Sequence, residues 1–214
     1  MDGVDIDCYA PSNLSELEDY INFVREASAV FRPAGILLSV ALHQQQYLPA
    51  DVFGLIDRVR ILAYDMPGEP RDNHAATKKL QNAVQGFIDH HCPPQKIVVG
   101  IPAYARHSKS PHMVKTYAEI FDEMKPTSED MLEKRPWNGY SYDSPNAVRR
   151  KVEYAVEKGL AGVFFWELGQ DKQDATFGPG GILLEAASSR MVQLTGESAK
   201  APSPVEDDGL SNEL

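Results

Sequence analysis

The chain has 214 residues, 43% hydrophobic and 24% charged, with 15 glycines, 15 prolines and two cysteines. That length holds one domain, or two small ones at ~100–200 residues each, and the composition excludes collagen-like, coiled-coil and disulfide-scaffold classes. Thirty-one acidic residues against 21 basic ones leave a formal net charge of −10, which argues against nucleic acid or an anionic membrane as partner.

Five short β-branched or apolar runs predict strands, the first over Val4–Cys8. Ser12 or Asn13 then caps a helix carrying Leu14, Leu17, Ile21 and Val24, which Pro33 stops. A strand over Ile36–Leu42 follows, then a short helix from Pro49 through Phe53 and Ile56, and a strand over Val59–Tyr64. Asn73 is expected to cap a helix with Leu80, Val84, Phe87 and Ile88 on one face, ended by Pro93-Pro94. Beyond the strand Ile97–Ala103, Ser144-Pro145 starts a helix through Val148, Val152 and Val156 that closes at Gly159. The strand Gly162–Trp166 and a helix Ile182–Val192 complete the folded part.

Strands alternating with helices predict an α/β protein with a parallel sheet, and the few polar residues in the strands suit a sheet covered on both faces. Pattern alone fits a doubly wound sheet or a β/α barrel. Nothing after the first strand has the Gly-x-Gly-x-x-Gly of a dinucleotide site. Residues 196–214 are rich in Ser, Pro, Ala and acids and are expected to form a disordered acidic tail, leaving 1–195 as the folded domain. The first residues lack the basic and then apolar pattern of a secretory leader, and the compartment stays unassigned. Cys8 and Cys92 show no metal-like spacing and are expected as free thiols; no metal and no cofactor is expected.

Chemistry gathers where the strands end, the place at which α/β proteins build their sites. In Asp5-Ile6-Asp7-Cys8-Tyr9, alternation puts Asp5, Asp7 and Tyr9 on one face. Two carboxylates at that spacing repel, a cost that suits a site better than a scaffold, although an exposed acidic edge strand would show the same pattern. Three further strand ends carry Tyr64-Asp65-Met66, Tyr104-Ala105-Arg106 and Trp166-Glu167. Aromatic faces beside carboxylates suggest a sugar site, with rings to stack on pyranoses and carboxylates to bind hydroxyls.

These residues resemble family 18 glycoside hydrolases, the chitinases and their lectin-like relatives. The family's fourth barrel strand reads Asp-Gly-x-Asp-x-Asp-x-Glu, and this chain has Asp2-Gly3-Val4-Asp5-Ile6-Asp7-Cys8-Tyr9. Tyr64-Asp65, with Asn73-His74-Ala75 after it, is similar to the sixth strand, Gly100 to Arg106 to the seventh, and Gly162 to Asp171 to the eighth. The resemblance implies a (β/α)8 TIM barrel, incomplete here, with strands 4 to 8 only. It implies substrate-assisted hydrolysis of β-1,4-linked N-acetylglucosamine polymers, in which the substrate's own acetamido oxygen attacks the anomeric carbon. On that basis Asp7 orients the acetamido group, Asp5 tunes Asp7, Tyr64 bonds the acetamido carbonyl and Asp65 holds sugar hydroxyls. Trp166 floors the reacting sugar, and Met66, Tyr104, Arg106 and Glu167 are its expected neighbours in the cleft.

Two departures change the expectation. Tyr9 stands where the family has its catalytic Glu. A phenol with an ordinary pKa near ~10 is a poor proton donor, and loss of a general acid typically costs ~10²–10⁴ in rate. Weak or absent turnover is therefore expected, with a lectin-like binder of chitin or chitooligosaccharide, or an inactive truncated fragment, as alternatives. The second departure is the missing first three strands. It is expected to reflect a fragment of a longer protein or self-association through open sheet edges. The resemblance also places Cys8 and Cys92 at opposite barrel ends, too far apart for a disulfide. The stretch from Arg106 to Leu160 looks too short for the family's full α/β insertion and implies a shallower groove, with Trp137 at a rim either stacking on sugar or packing locally. The histidines, His90-His91 among them, are expected at solvent-facing helix ends.

Overall fold

The computed structural model describes residues 2–7, 13–67, 73–177 and 180–196. The first half alternates strand and helix without exception: β1 (Gly3–Ile6), α1 (Leu14–Phe31), β2 (Leu37–His43), α2 (Ala50–Leu55), β3 (Arg58–Leu62), α3 (Thr77–Asp89) and β4 (Ile97–Pro102). A small excursion follows, made of β5 (Tyr104–His107), β6 (Ser110–Thr116), α4 (Tyr117–Met124), α5 (Glu129–Leu132) and β7 (Tyr140–Ser141). The alternation resumes with α6 (Pro145–Glu157), β8 (Gly162–Trp166) and α7 (Ile182–Thr195). β1, β2, β3, β4 and β8 form one parallel sheet in that order, while β6, β5 and β7 form a separate antiparallel sheet. All five predicted strands are present within one or two residues of their expected ends.

Period-two alternation decides which residues meet the helices. Val40, Val59, Ile61, Ile97 and Val99 are fully buried in one core with Val24, Val52, Phe53, Leu80, Val84 and Phe87. A second core joins Ile101 and Ala103 to Tyr117, Ile120, Tyr142, Val148, Val152 and Leu183. The opposite sheet face carries only a small cluster of Ala41, Leu62, Tyr64, Ala75 and Tyr104 with Phe164 against it. The expectation of a sheet covered on both faces is thereby corrected: among the described residues Leu37 and Trp166 on this second face are 54% and 44% exposed.

Local chemistry fixes the helix starts. Asn13 Oδ1 accepts from Glu16 N at the head of α1, and Ser144 Oγ accepts from Ala147 N at the head of α6. Gly159, at φ +63°, terminates α6 as expected. Asn73 does not cap α3. Its Oδ1 accepts from Ala75 N and closes a turn, and the helix begins only at Thr77. Cys92 is a free, buried thiol that burial pushes up to about 12, whereas Cys8 and residues 197–214, the expected tail among them, lie outside the described residues.

One buried ion pair ties the excursion to the main layer. Lys151 on α6 donates to Asp143, and their side chains are 0% and 1% exposed. A charge taken fully out of water is tolerated only while its partner stays. Lys151→Met is expected to lower the unfolding free energy by about 3–5 kcal/mol, and Lys151→Met with Asp143→Leu to recover most of the loss. Urea melts of the two variants check this; equal losses would contradict it.

Candidate functional site

The open face of the sheet collects polar side chains from neighbouring strand ends. β1 pairs in parallel with β2 so that Asp5 lies opposite Ser39, and the Ser39 hydroxyl donates to the Asp5 carboxylate. Arg60 reaches the same carboxylate from β3. Asp7 follows at the end of β1, exposed, and its negative charge reaches the Tyr64 hydroxyl.

Tyr64 is 7% exposed, and its ring lies 6.1 Å from that of Tyr104 and 6.4 Å from that of Phe164, centroid to centroid. Gly100 makes this possible. A Cβ there would sit 2.6 Å from a Tyr64 ring carbon and 2.8 Å from a Phe164 ring carbon, so no side chain fits beneath the two rings. Burial drives the Tyr64 phenol well above its ordinary range. Arg60 opposes the shift, and Asp7 and Asp65 add to it. Tyr64 is therefore a hydrogen-bond donor throughout the neutral range.

Asp65 turns the chain at φ +54°, a left-handed conformation that Asp tolerates better than most residues. Its carboxylate accepts from both Nε and Nη2 of Arg106 and lies 3.1 Å from His74 Nδ1. Burial alone would raise the carboxyl pKa, but hydrogen bonds from His74, Arg106 and Tyr104 outweigh it and hold Asp65 well below the usual carboxylate range. Arg106 also donates through Nη1 to Pro111 O at 2.7 Å, which braces the guanidinium against the start of β6. Trp166, at the end of β8, is 44% exposed, and Glu167 beside it is exposed and accepts from Gln170 Nε2 at 3.1 Å.

Asp5, Asp7, Tyr64, Asp65, Tyr104, Arg106 and Trp166 thus belong to the strand ends of one half-open face. Met66 does not join them: it is 5% exposed and lies in the core on the helix side. Tyr9 lies outside the described residues. Trp137 is half-buried and packs against the second core, with an indole nitrogen that is buried without a hydrogen-bond partner. Sequence reasoning missed His74, which is 8% exposed rather than solvent-facing, and it missed Arg60, Ser39 and Phe164. A signal for Arg60 exists: it interrupts the apolar run Val59-Arg60-Ile61, and alternation puts it on the face of Tyr64. For His74 the only signal is its place in the Asn73-His74-Ala75 segment.

Comparison with known proteins places this arrangement. The chain is 25% identical over 160 residues to "Endochitinase 1" of Metarhizium robertsii, covering 58% of this chain and 38% of that protein. It therefore spans well under half the length of this relative. The crystal structure of a chitinase from Cycas revoluta in complex with (GlcNAc)3 superposes with a TM-score of 0.71 at 24% identity, over 88% of this chain and 68% of that one. A chitinase-like agglutinin from Robinia pseudoacacia superposes with a TM-score of 0.72 at 20% identity, over 89% of this chain and 68% of that one. These likenesses show the fold: five parallel strands and their helices form part of a TIM barrel. Residues 1–171 match the family described as glycosyl hydrolases family 18, and the chain belongs to that family.

Proposed function

We propose that this chain binds oligomers of β-1,4-linked N-acetylglucosamine and hydrolyses them slowly or not at all. The observation that carries the reading is the meeting of Tyr64, the Asp65–Arg106 pair, Tyr104 and the half-exposed Trp166 at the strand ends of one open face. Tyr64 is a protonated donor for an acetamido carbonyl, Asp65 remains ionised beside it, and the indole face is free for a sugar ring. Tyr9 at the position of the family's acid supplies the reason for weak turnover, since substrate binding and proton donation rest on different residues. Asp7 would orient the acetamido group and the charge of Asp5 would tune Asp7, with Glu167 at the rim. Residues 1–195 would then act as a partial catalytic-type barrel.

Calorimetric titration with chitotriose is expected to give measurable heats, while a fluorogenic chitobioside is cleaved at least ~10²-fold more slowly than a family member with Glu at this position cleaves it. Trp166→Ala is expected to weaken chitotriose binding at least ~tenfold without shifting the thermal midpoint, because its ring is largely outside the core. Ordinary turnover that survives Tyr9→Phe would sink the reading.

The pH dependence follows from the directions of two shifts. The lowered Asp65 pKa keeps its charge above the acid range, and the raised Tyr64 pKa keeps its proton below the alkaline range. Neither group should contribute an inflection to binding between about pH 5 and 8. An inflection in that window that disappears in Asp65→Asn would contradict this assignment.

Self-association belongs to the same proposal. β1 and β8 are the sheet's two edge strands, and apolar side chains are exposed on the helices that follow them in the chain, including Phe23 and Val30 on α1 and Val192 and Leu194 on α7. Sedimentation coefficients should rise with concentration and fall back in a Phe23→Glu, Val30→Glu variant; concentration-independent monomer would overturn it.

A further inference from the structure

Two arginine–carboxylate pairs stand on the open face. Arg106 and Asp65 form one, and Arg60 and Asp5 form the other, with Arg60 and Asp5 side chains only 24% and 28% exposed. The Arg60 guanidinium is held from one further direction: its carbon lies 4.1 Å from the centre of the Phe164 ring, a cation–π arrangement, while Ser39 holds the carboxylate partner. Asp7, two residues beyond Asp5 on the same face, has no ion-pair or hydrogen-bond partner among the described residues. Arg58 lies two residues before Arg60 on that face and turns its guanidinium back to Asp57 O at 2.9 Å.

Asp5, Asp7, Asp65 and the rim residue Glu167 stand against Arg58, Arg60 and Arg106, so the face keeps about one net negative charge. Without Arg60 it would keep two, next to each other at the end of β1. A doubly negative patch attracts a cationic ligand, whereas a nearly neutral one gives it little advantage over an uncharged ligand of the same shape.

We infer that Arg60 is a specificity-determining residue: by neutralising Asp5 it makes this face select N-acetylated, uncharged sugars over glucosamine oligomers, whose amines carry positive charge. The inference deepens the proposed function and rests on it. Nothing in the family motif quoted above includes Arg60; its position on the Phe164 ring and its pairing with Asp5 carry the argument.

The test uses the full chain and two probes, triacetylated chitotriose and the fully deacetylated trimer, titrated calorimetrically at a pH below the pKa of the sugar amines. The wild-type chain is expected to prefer the acetylated trimer. Arg60→Met should move the ratio of the two affinities at least ~tenfold toward the amine form, and about 0.5 M salt should shrink that shift. Arg60→Lys, which keeps the charge, should hold the ratio near the wild-type value. Equal loss of both affinities in Arg60→Met, or an unchanged ratio, would overturn the inference, because a merely structural role weakens both probes alike. If Arg60→Met does not fold, Arg60→Gln gives the same reading with the polar contact kept and the charge removed. Wild-type chain that binds neither trimer overturns the proposed function itself and takes the inference with it; that result appears before any variant is made.

Discussion

Each strand of the parallel sheet must place alternate side chains on opposite faces, and the helix layer claims one of the two sets entirely. Val59 and Ile61 are fully buried under the helices, so Arg60 between them and Leu62 and Tyr64 beyond must face the other way. The same rule puts Val99 and Ile101 in the cores and Gly100 beneath the rings of Tyr64 and Phe164. The site is thus the complement of the core. Any one-residue slip of β3 against β4 would bury Arg60 and expose Ile61, which ties the register to the hydrophobic effect and the chemistry to the register.

Carboxylates on a half-covered face are a liability unless something holds them. Here the sequence supplies two arginines from adjacent segments of the sheet and its excursion, one for Asp5 and one for Asp65. Half-burial matters for both. Enough water remains that neither pair carries the desolvation cost of Lys151 and Asp143, and the hydrogen bonds to Asp65 hold it below the usual carboxylate range despite its burial. Arg106 has a further task. By donating to Pro111 O it couples the carboxylate just beyond β3 to the start of β6, so the insertion braces the site.

The strands and most helices were legible in the sequence because their signals are local: apolar runs, a Ser or Asn cap, Pro and Gly punctuation. Asp5, Tyr64, Asp65 and Trp166 were legible for a related reason, as polar or aromatic residues ending apolar strands in a family order. What failed did so where the chain leaves regular geometry. Alternation predicts Met66 on the face of Tyr64, but the left-handed turn at Asp65 rotates the backbone and sends Met66 into the helix-side core. His74 was expected, with the other histidines, at a solvent-facing helix end. It is buried where its carbonyl accepts from Met66 N at 2.9 Å and its ring meets Asp65, contacts that no local pattern encodes. Asn73 was read as a helix cap for its type, yet its side chain was already committed to the turn that carries His74.

A face of this kind separates recognition from reaction. Groups that only hold a ground-state sugar, such as an indole face under a ring, contribute equally before and during bond cleavage and so do not by themselves lower the barrier. A general acid differs, because its proton transfer matters only as the bond breaks. On the proposed function, Tyr9 in place of that group would remove a contribution confined to the transition state. The Arg60–Asp5 pair points the same way. Held by Ser39 and by an arginine that lies over the Phe164 ring, the Asp5 carboxylate would, on the inference drawn above, serve discrimination between neutral and charged sugars rather than the movement of a proton.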